Sequence, residues 1–96
     1  MRCAPSSLVL FAELMKDISQ PTRLQILCML SKVDSLCVCE IERKLKIKQN
    51  LVSHHLGILH DLGLVKRTRE GKNIHYAINT KKFATFKKNL QDIFNI

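Results

Sequence analysis

Apolar residues in this chain recur at helical spacing in five stretches, with one interruption where they alternate in steps of two. In the first stretch Leu10, Phe11, Leu14, Met15 and Ile18 return at intervals of three and four; Ser6 or Ser7 is placed to cap the helix. The helix must end before Pro21, because the residue ahead of a proline avoids the helical region. Pro21 itself suits the start of a second helix, running to about Lys32, in which Leu24, Leu27, Cys28 and Leu30 or Met29 form the expected buried stripe. Asp34 and Ser35 break that pattern. A short third helix from Val38 to Leu45 turns Ile41 and Leu45 inward and Glu42, Arg43, Lys44 and Lys46 outward. Ile47 and Lys48 leave room for a tight turn before a fourth helix, Gln49 to Leu62, with Val52, Leu56, Leu59 and Leu62 on one face. Two short helices so closely joined predict a helix-turn-helix.

Gly63 stands where a left-handed residue closes a helix. Beyond it the period changes: Leu64 to Arg69 and Ile74 to Ile78 alternate around a charged tip, Glu70-Gly71-Lys72, which predicts a hairpin with Ile74, Tyr76 and Ile78 on one side and His75 and Ala77 on the other. A last helix, capped by Asn79 or Thr80, carries Phe83, Phe86, Leu90, Ile93 and Phe94 at intervals of three and four, with Lys81, Lys82, Lys87 and Lys88 left in water. The predicted fold is mainly α with a small β-hairpin: a winged helix-turn-helix of five helices plus a two-stranded wing. It forms a single domain over residues 1–96, with the helix-turn-helix at about 38–62 and the wing at about 64–78.

The chain has 96 residues, 46% of them hydrophobic, and a formal net charge of +8. A domain this small buries about two thirds of its unfolded surface, so self-association would add stability. The charge is concentrated, with Arg43, Lys44, Lys46 and Lys48 in one group and Lys66, Arg67, Arg69 and Lys72 in another. That distribution suits a polyanion, since each phosphate neutralised releases condensed counterions. No stretch reaches membrane-spanning length, and the apolar patch Leu8 to Ala12 lacks the cleavage site of a secretory signal. A cytoplasmic protein is expected, in which four cysteines serve as ligands, redox thiols or core residues more readily than as structural disulfides.

In a helix-turn-helix the second helix enters the major groove and presents its N-terminal residues to base edges. Gln49 and Asn50 carry amides able to pair with adenine, and Ser53 and His54 follow one turn later. Lys48 and the positive end of the helix suit a phosphate, while Arg67, Arg69 and Lys72 on the hairpin can reach the flanking backbone or minor groove. Successive helical residues point about 100° apart, so a His54 that faces DNA turns His55 away into a structural position, and the two cannot share a metal.

These residues resemble the ArsR/SmtB family of metal- and metalloid-responsive winged-helix repressors. The likeness runs from about Ile18 to Asn79, through Gln20-Pro21-Thr22-Arg23-Leu24-Gln25-Ile26-Leu27, Leu36-Cys37-Val38-Cys39-Glu40-Ile41, Val52-Ser53-His54-His55-Leu56, Leu62-Gly63-Leu64-Val65 and Arg69 to Tyr76. It implies a homodimer joined through the first and last helices, about 7–19 and 80–95. It also implies a double-stranded operator DNA partner and release by an inducer.

The Cys-Val-Cys run is similar to the thiolate pair of the family's arsenite, antimonite, cadmium and lead sensors, which implies Cys37 and Cys39 as ligands for As(III)/Sb(III) or Cd(II)/Pb(II), with no permanently bound cofactor. Thiolate suits such ions, because soft ligands select soft ions and must lose their protons to bind. Residues two apart on a regular helix lie about 200° apart around its axis, so capture of one ion by both is expected to bend or unwind the first turn and tilt the reading helix. Some arsenite sensors place a third cysteine where this chain has Glu42, which leaves Cys3 or Cys28 as the third ligand. Cys28, between Leu27 and Met29, reads as a core thiol. The zinc branch's pairs on the last helix are absent, and His60 and His75 read as solvated.

Two other classes fit less of the pattern. One is a winged-helix regulator switched by oxidation, with Cys37 and Cys39 forming a disulfide to Cys28 or Cys3. The other is a small dithiol enzyme, which the lack of Cys-x-x-Cys, of a phosphate-binding glycine loop and of an acid-base pair argues against.

Overall fold

The computed structural model describes residues 5–95. Five helices and three strands follow in the order α1 Pro5–Ile18, α2 Pro21–Leu30, β1 Leu36–Cys37, α3 Val38–Leu45, α4 Gln49–Asp61, β2 Val65–Glu70, β3 Asn73–Ile78 and α5 Thr80–Phe94. Ser6 and Ser7 lie within helical backbone instead of capping it. Gln20 caps α2, accepting from the Arg23 amide at 3.0 Å, and Pro21 takes the first helical position, where its missing N–H costs nothing.

The wing has three strands, not two. The sheet order is β1-β3-β2, all antiparallel, with Leu36 opposite Tyr76 and Cys37 opposite His75. Two residues are too short to show a period, and β1 exists because β3 offers its free edge to them.

The core is built from Ile26, Leu30, Ile41, Val52, Leu56, Leu59 and Leu64, all essentially without solvent contact, joined by Ile18, Leu27, Leu36, Val65 and Tyr76. This joins α2, α3, α4 and the sheet into one body. In α2 the buried side is Ile26, Leu27 and Leu30, whereas Leu24 and Cys28, expected inside, are exposed. Leu24 through Leu30 is apolar on nearly every side except Gln25, so helical spacing alone does not choose a face.

Between α3 and α4 the chain turns at Lys46, which adopts left-handed backbone (φ 56°) and donates its amide to the Glu42 carbonyl at 2.8 Å. After α4, Gly63 takes φ 80°, a left-handed conformation that strains a residue with a Cβ. Asn79 closes the next junction: its amide nitrogen donates to the Gly63 carbonyl at 2.9 Å, and its oxygen caps α5 at the Lys82 amide.

Helices α1 and α5 pack on each other through Phe11 and Phe86, whose rings stack with centroids 5.4 Å apart. Neither helix is covered on its far side. Val9, Leu10, Met15 and Phe94 stand exposed, so Leu10 and Met15 of the first helix's apolar series are open to solvent among the described residues.

Candidate nucleic-acid interface and thiol site

Helix α4 is held from behind by Val52, Leu56 and Leu59, which leaves its opposite side to solvent. Lys48, Gln49, Asn50, Ser53 and His54 are all exposed on that side or at the helix start. Lys48 is the N-cap residue in extended backbone, and its exposed side chain stands at the positive end of the helix. On the wing, Arg67, Arg69 and Lys72 are exposed, and Arg69 Nε donates to the Gly71 carbonyl at 3.4 Å across the hairpin tip. The residues expected to meet DNA are thus presented to solvent by two adjoining elements.

His55 is different. It is half-buried against α2, where its Nδ1 accepts from Arg23 Nε at 3.2 Å, while Arg23 Nη1 donates to the Asp17 carbonyl at 2.7 Å. Burial, reinforced by the Arg23 charge and by His54, holds the His55 imidazole below its ordinary pKa. His75 is not free in solvent as expected, since it is half-buried in the sheet with Nε2 3.8 Å from Glu70 Oε2. His60 stands 3.7 Å from the Asp61 carboxylate.

Cys37 is not helical. It ends β1 in extended backbone (φ −80°, ψ 160°) as the N-cap of α3, and its amide donates to Glu40 Oε1 at 3.1 Å. Cys39 is in the first helical turn, and the two sulfurs are bonded to one another with the α-carbons 5.4 Å apart. The expected conflict between two ligands on opposite sides of a helix therefore does not arise. Extended backbone at the cap swings the first sulfur round to the second, and no unwinding is required. The expected disulfide partners, Cys28 and Cys3, are corrected as well: the bond joins Cys37 to Cys39.

Cys37 is buried and Cys39 exposed. Both border a cleft of about 360 Å³ whose other walls are Gln49, Ser53 and Gly57 of α4 and Arg67, Lys72 and Asn73 of the wing. Among the described residues no group of three His, Cys, Asp or Glu is able to hold an ion, so Cys28 does not complete the site. Cys28 is an exposed thiol with Lys32 Nζ 3.4 Å from its sulfur. Cys3 lies outside the described residues. No helix among them is long and apolar enough to cross a membrane.

A helix-turn-helix with a basic wing defines a winged-helix DNA-binding regulator. Residues 20–67 match the family described as bacterial regulatory protein, arsR family, and the chain belongs to that family. It is 44% identical over 71 residues to an uncharacterized HTH-type transcriptional regulator of Methanocaldococcus jannaschii, covering 73% of this chain and 80% of the relative. It is 35% identical to a cadmium resistance transcriptional regulatory protein CadC homolog of Staphylococcus aureus, over 71% of this chain and 56% of the relative. It is 36% identical to the arsenical resistance operon repressor of Escherichia coli, over 76% of this chain and 62% of the relative. The chain thus spans under two thirds of the length of these last two.

Among solved structures, the transcriptional repressor PagR of Bacillus anthracis superposes with a TM-score of 0.69 at 38% identity, over 91% of this chain and 99% of that one. Reduced HlyU from Vibrio cholerae gives 0.72 at 32%, over 85% and 87%. The family consists of transcriptional regulators, not enzymes, which removes the dithiol-enzyme reading.

Proposed function

We propose that this chain is a dimeric repressor that leaves its operator when a soft ion is captured by the thiolates of Cys37 and Cys39. The observation that carries the reading is the shared cleft: the sulfur pair and the base-reading positions Gln49 and Ser53 border one space. Gln49, Asn50, Ser53 and His54 read bases, Lys48, Arg67, Arg69 and Lys72 hold phosphates, and a second copy covers the apolar face of α1 and α5. The names of the cadmium and arsenical relatives support As(III)/Sb(III) or Cd(II)/Pb(II) as the inducer.

The two sulfurs fit such an ion once reduced, because their backbone already brings them together. The third donor is Cys3, a second copy or solvent. Coordination fixes the distance between the end of β1 and the start of α3. Strand β1 is paired with β3 of the wing, and α3 leads into α4 through Lys46, Ile47 and Lys48. A shift at the sulfurs is therefore felt by both DNA-contacting elements. Fluorescence anisotropy of a labelled duplex with the reduced protein tests this: arsenite or cadmium at one equivalent per chain releases the duplex, and undiminished binding with every soft ion contradicts it.

The sulfur–sulfur bond supports a second reading, in which oxidation is the signal. Two thiols and one hydrogen peroxide give the disulfide and two waters, and the oxidised pair no longer offers thiolates to an ion. Peroxide treatment followed by mass spectrometry and the same anisotropy assay separates the two readings.

A further inference from the structure

We infer that Arg23 and His55 form a proton-sensitive clamp that positions the reading helix α4 on the α1–α2 body, so that acidification weakens DNA binding. The inference rests on the DNA-binding reading and adds a control to it. One guanidinium reaches three elements: it belongs to the first turn of α2, donates from Nη1 to the Asp17 carbonyl at the end of α1, and donates from Nε to His55 Nδ1 on α4. His55 follows His54 and lies two residues beyond Ser53, so the bond is made on the side of α4 away from the bases, level with the residues that read them.

The bond has a defined proton requirement. Nδ1 accepts, so the ring must be neutral with its proton on Nε2. A proton taken up at Nδ1 replaces the acceptor with a second donor and sets imidazolium against guanidinium. The charged groups facing His55 are Arg23 from α2 and His54 from its own helix, and α1 meets the clamp through the Asp17 main-chain carbonyl. Burial and both neighbours resist protonation, so the clamp is closed at neutral pH and opens below it.

The test uses the reduced full chain and a duplex enriched from a randomised pool at about pH 7.5. Its affinity is measured at about pH 7.5 and 5.5 for wild type and for His55→Gln, whose amide oxygen accepts from Arg23 without titrating. His54 is present in both proteins, so the difference belongs to His55. Wild type loses about fivefold more affinity on acidification than the variant, at the lower end of ordinary coupling between sites. Equal losses overturn the clamp and leave DNA binding standing, whereas a pool that yields no duplex overturns the DNA-binding reading and the clamp's role with it. If His55→Gln does not fold, nitrogen-detected NMR titration of His55 in wild type decides. Linkage demands a lower pKa with duplex bound than without, and one midpoint in both states overturns the inference.

Discussion

Cys37 and Cys39 belong to different elements: the first closes a strand and the second opens a helix, with 5.4 Å between their α-carbons. The pair therefore measures the position of the wing's β1 edge relative to α3. Any ligand or bond that sets the sulfur separation also sets that position, and under the proposed function this couples the thiol pair to both the reading helix and the wing.

Substitutions on the proposed reading helix are expected to separate specific from general affinity. Asn50→Ala is expected to lose about 1 to 3 kcal/mol of discrimination between a selected duplex and a scrambled one, because a paired amide-to-adenine contact is lost. Lys48→Ala is expected to weaken both duplexes equally and to lower the slope of log affinity against log salt by about 0.9, the share of one phosphate contact. Competition assays at several salt concentrations check both, and an equal loss on the two duplexes for Asn50→Ala moves that residue to the phosphate class.

Two glycines respond in opposite directions to the same substitution. At Gly63, with φ 80°, alanine is expected to cost about 1 to 2 kcal/mol through backbone clash, although the space around its Cβ meets only the Lys82 side chain. At Gly57, inside α4 with nothing within 4 Å of an added Cβ, alanine is expected to stabilise by about 0.5 to 1 kcal/mol. Urea denaturation of the two variants gives both signs.

Stability depends on pH through His55. Its folded-state pKa is lowered from 6.5, chiefly by burial, so the unfolded chain takes up the proton more readily than the folded one. The contribution is whole above pH 6.5 and is lost as pH falls from there through the lowered folded value. His55→Gln removes that part of the slope. On acidification the urea midpoint of wild type falls further than that of His55→Gln, and parallel curves contradict the assignment.

The helices were legible wherever a polar face opposed an apolar one, as in α3, whose observed span Val38–Leu45 is the predicted one. They were ambiguous where that contrast fails: α2 buries Ile26 and exposes Leu24 and Cys28, although all three are apolar. Leu10 and Met15 followed the period correctly but face a surface that one chain leaves open. Strand β1 depends on pairing with residues about 40 positions away, which no local pattern reports. The Cys-x-x-Glu spacing of Cys37 and Glu40 is a usable signal that Cys37 caps the helix in extended backbone, which removes the two-ligands-on-one-helix geometry. The Arg23–His55 bond spans 32 residues and had no such signal.

The most direct test of sulfur-controlled release is one titration on three proteins. Reduced wild type, Cys37→Ser and Cys39→Ser are compared for affinity to a single enriched duplex, without ion and then with arsenite and with cadmium. The account predicts three similar ion-free affinities, within about threefold, because neither sulfur is among the DNA-contacting groups. It predicts a loss of about fivefold or more on loading for wild type alone, within the usual range of intersite coupling. Serine variants that release the duplex as readily as wild type would contradict it.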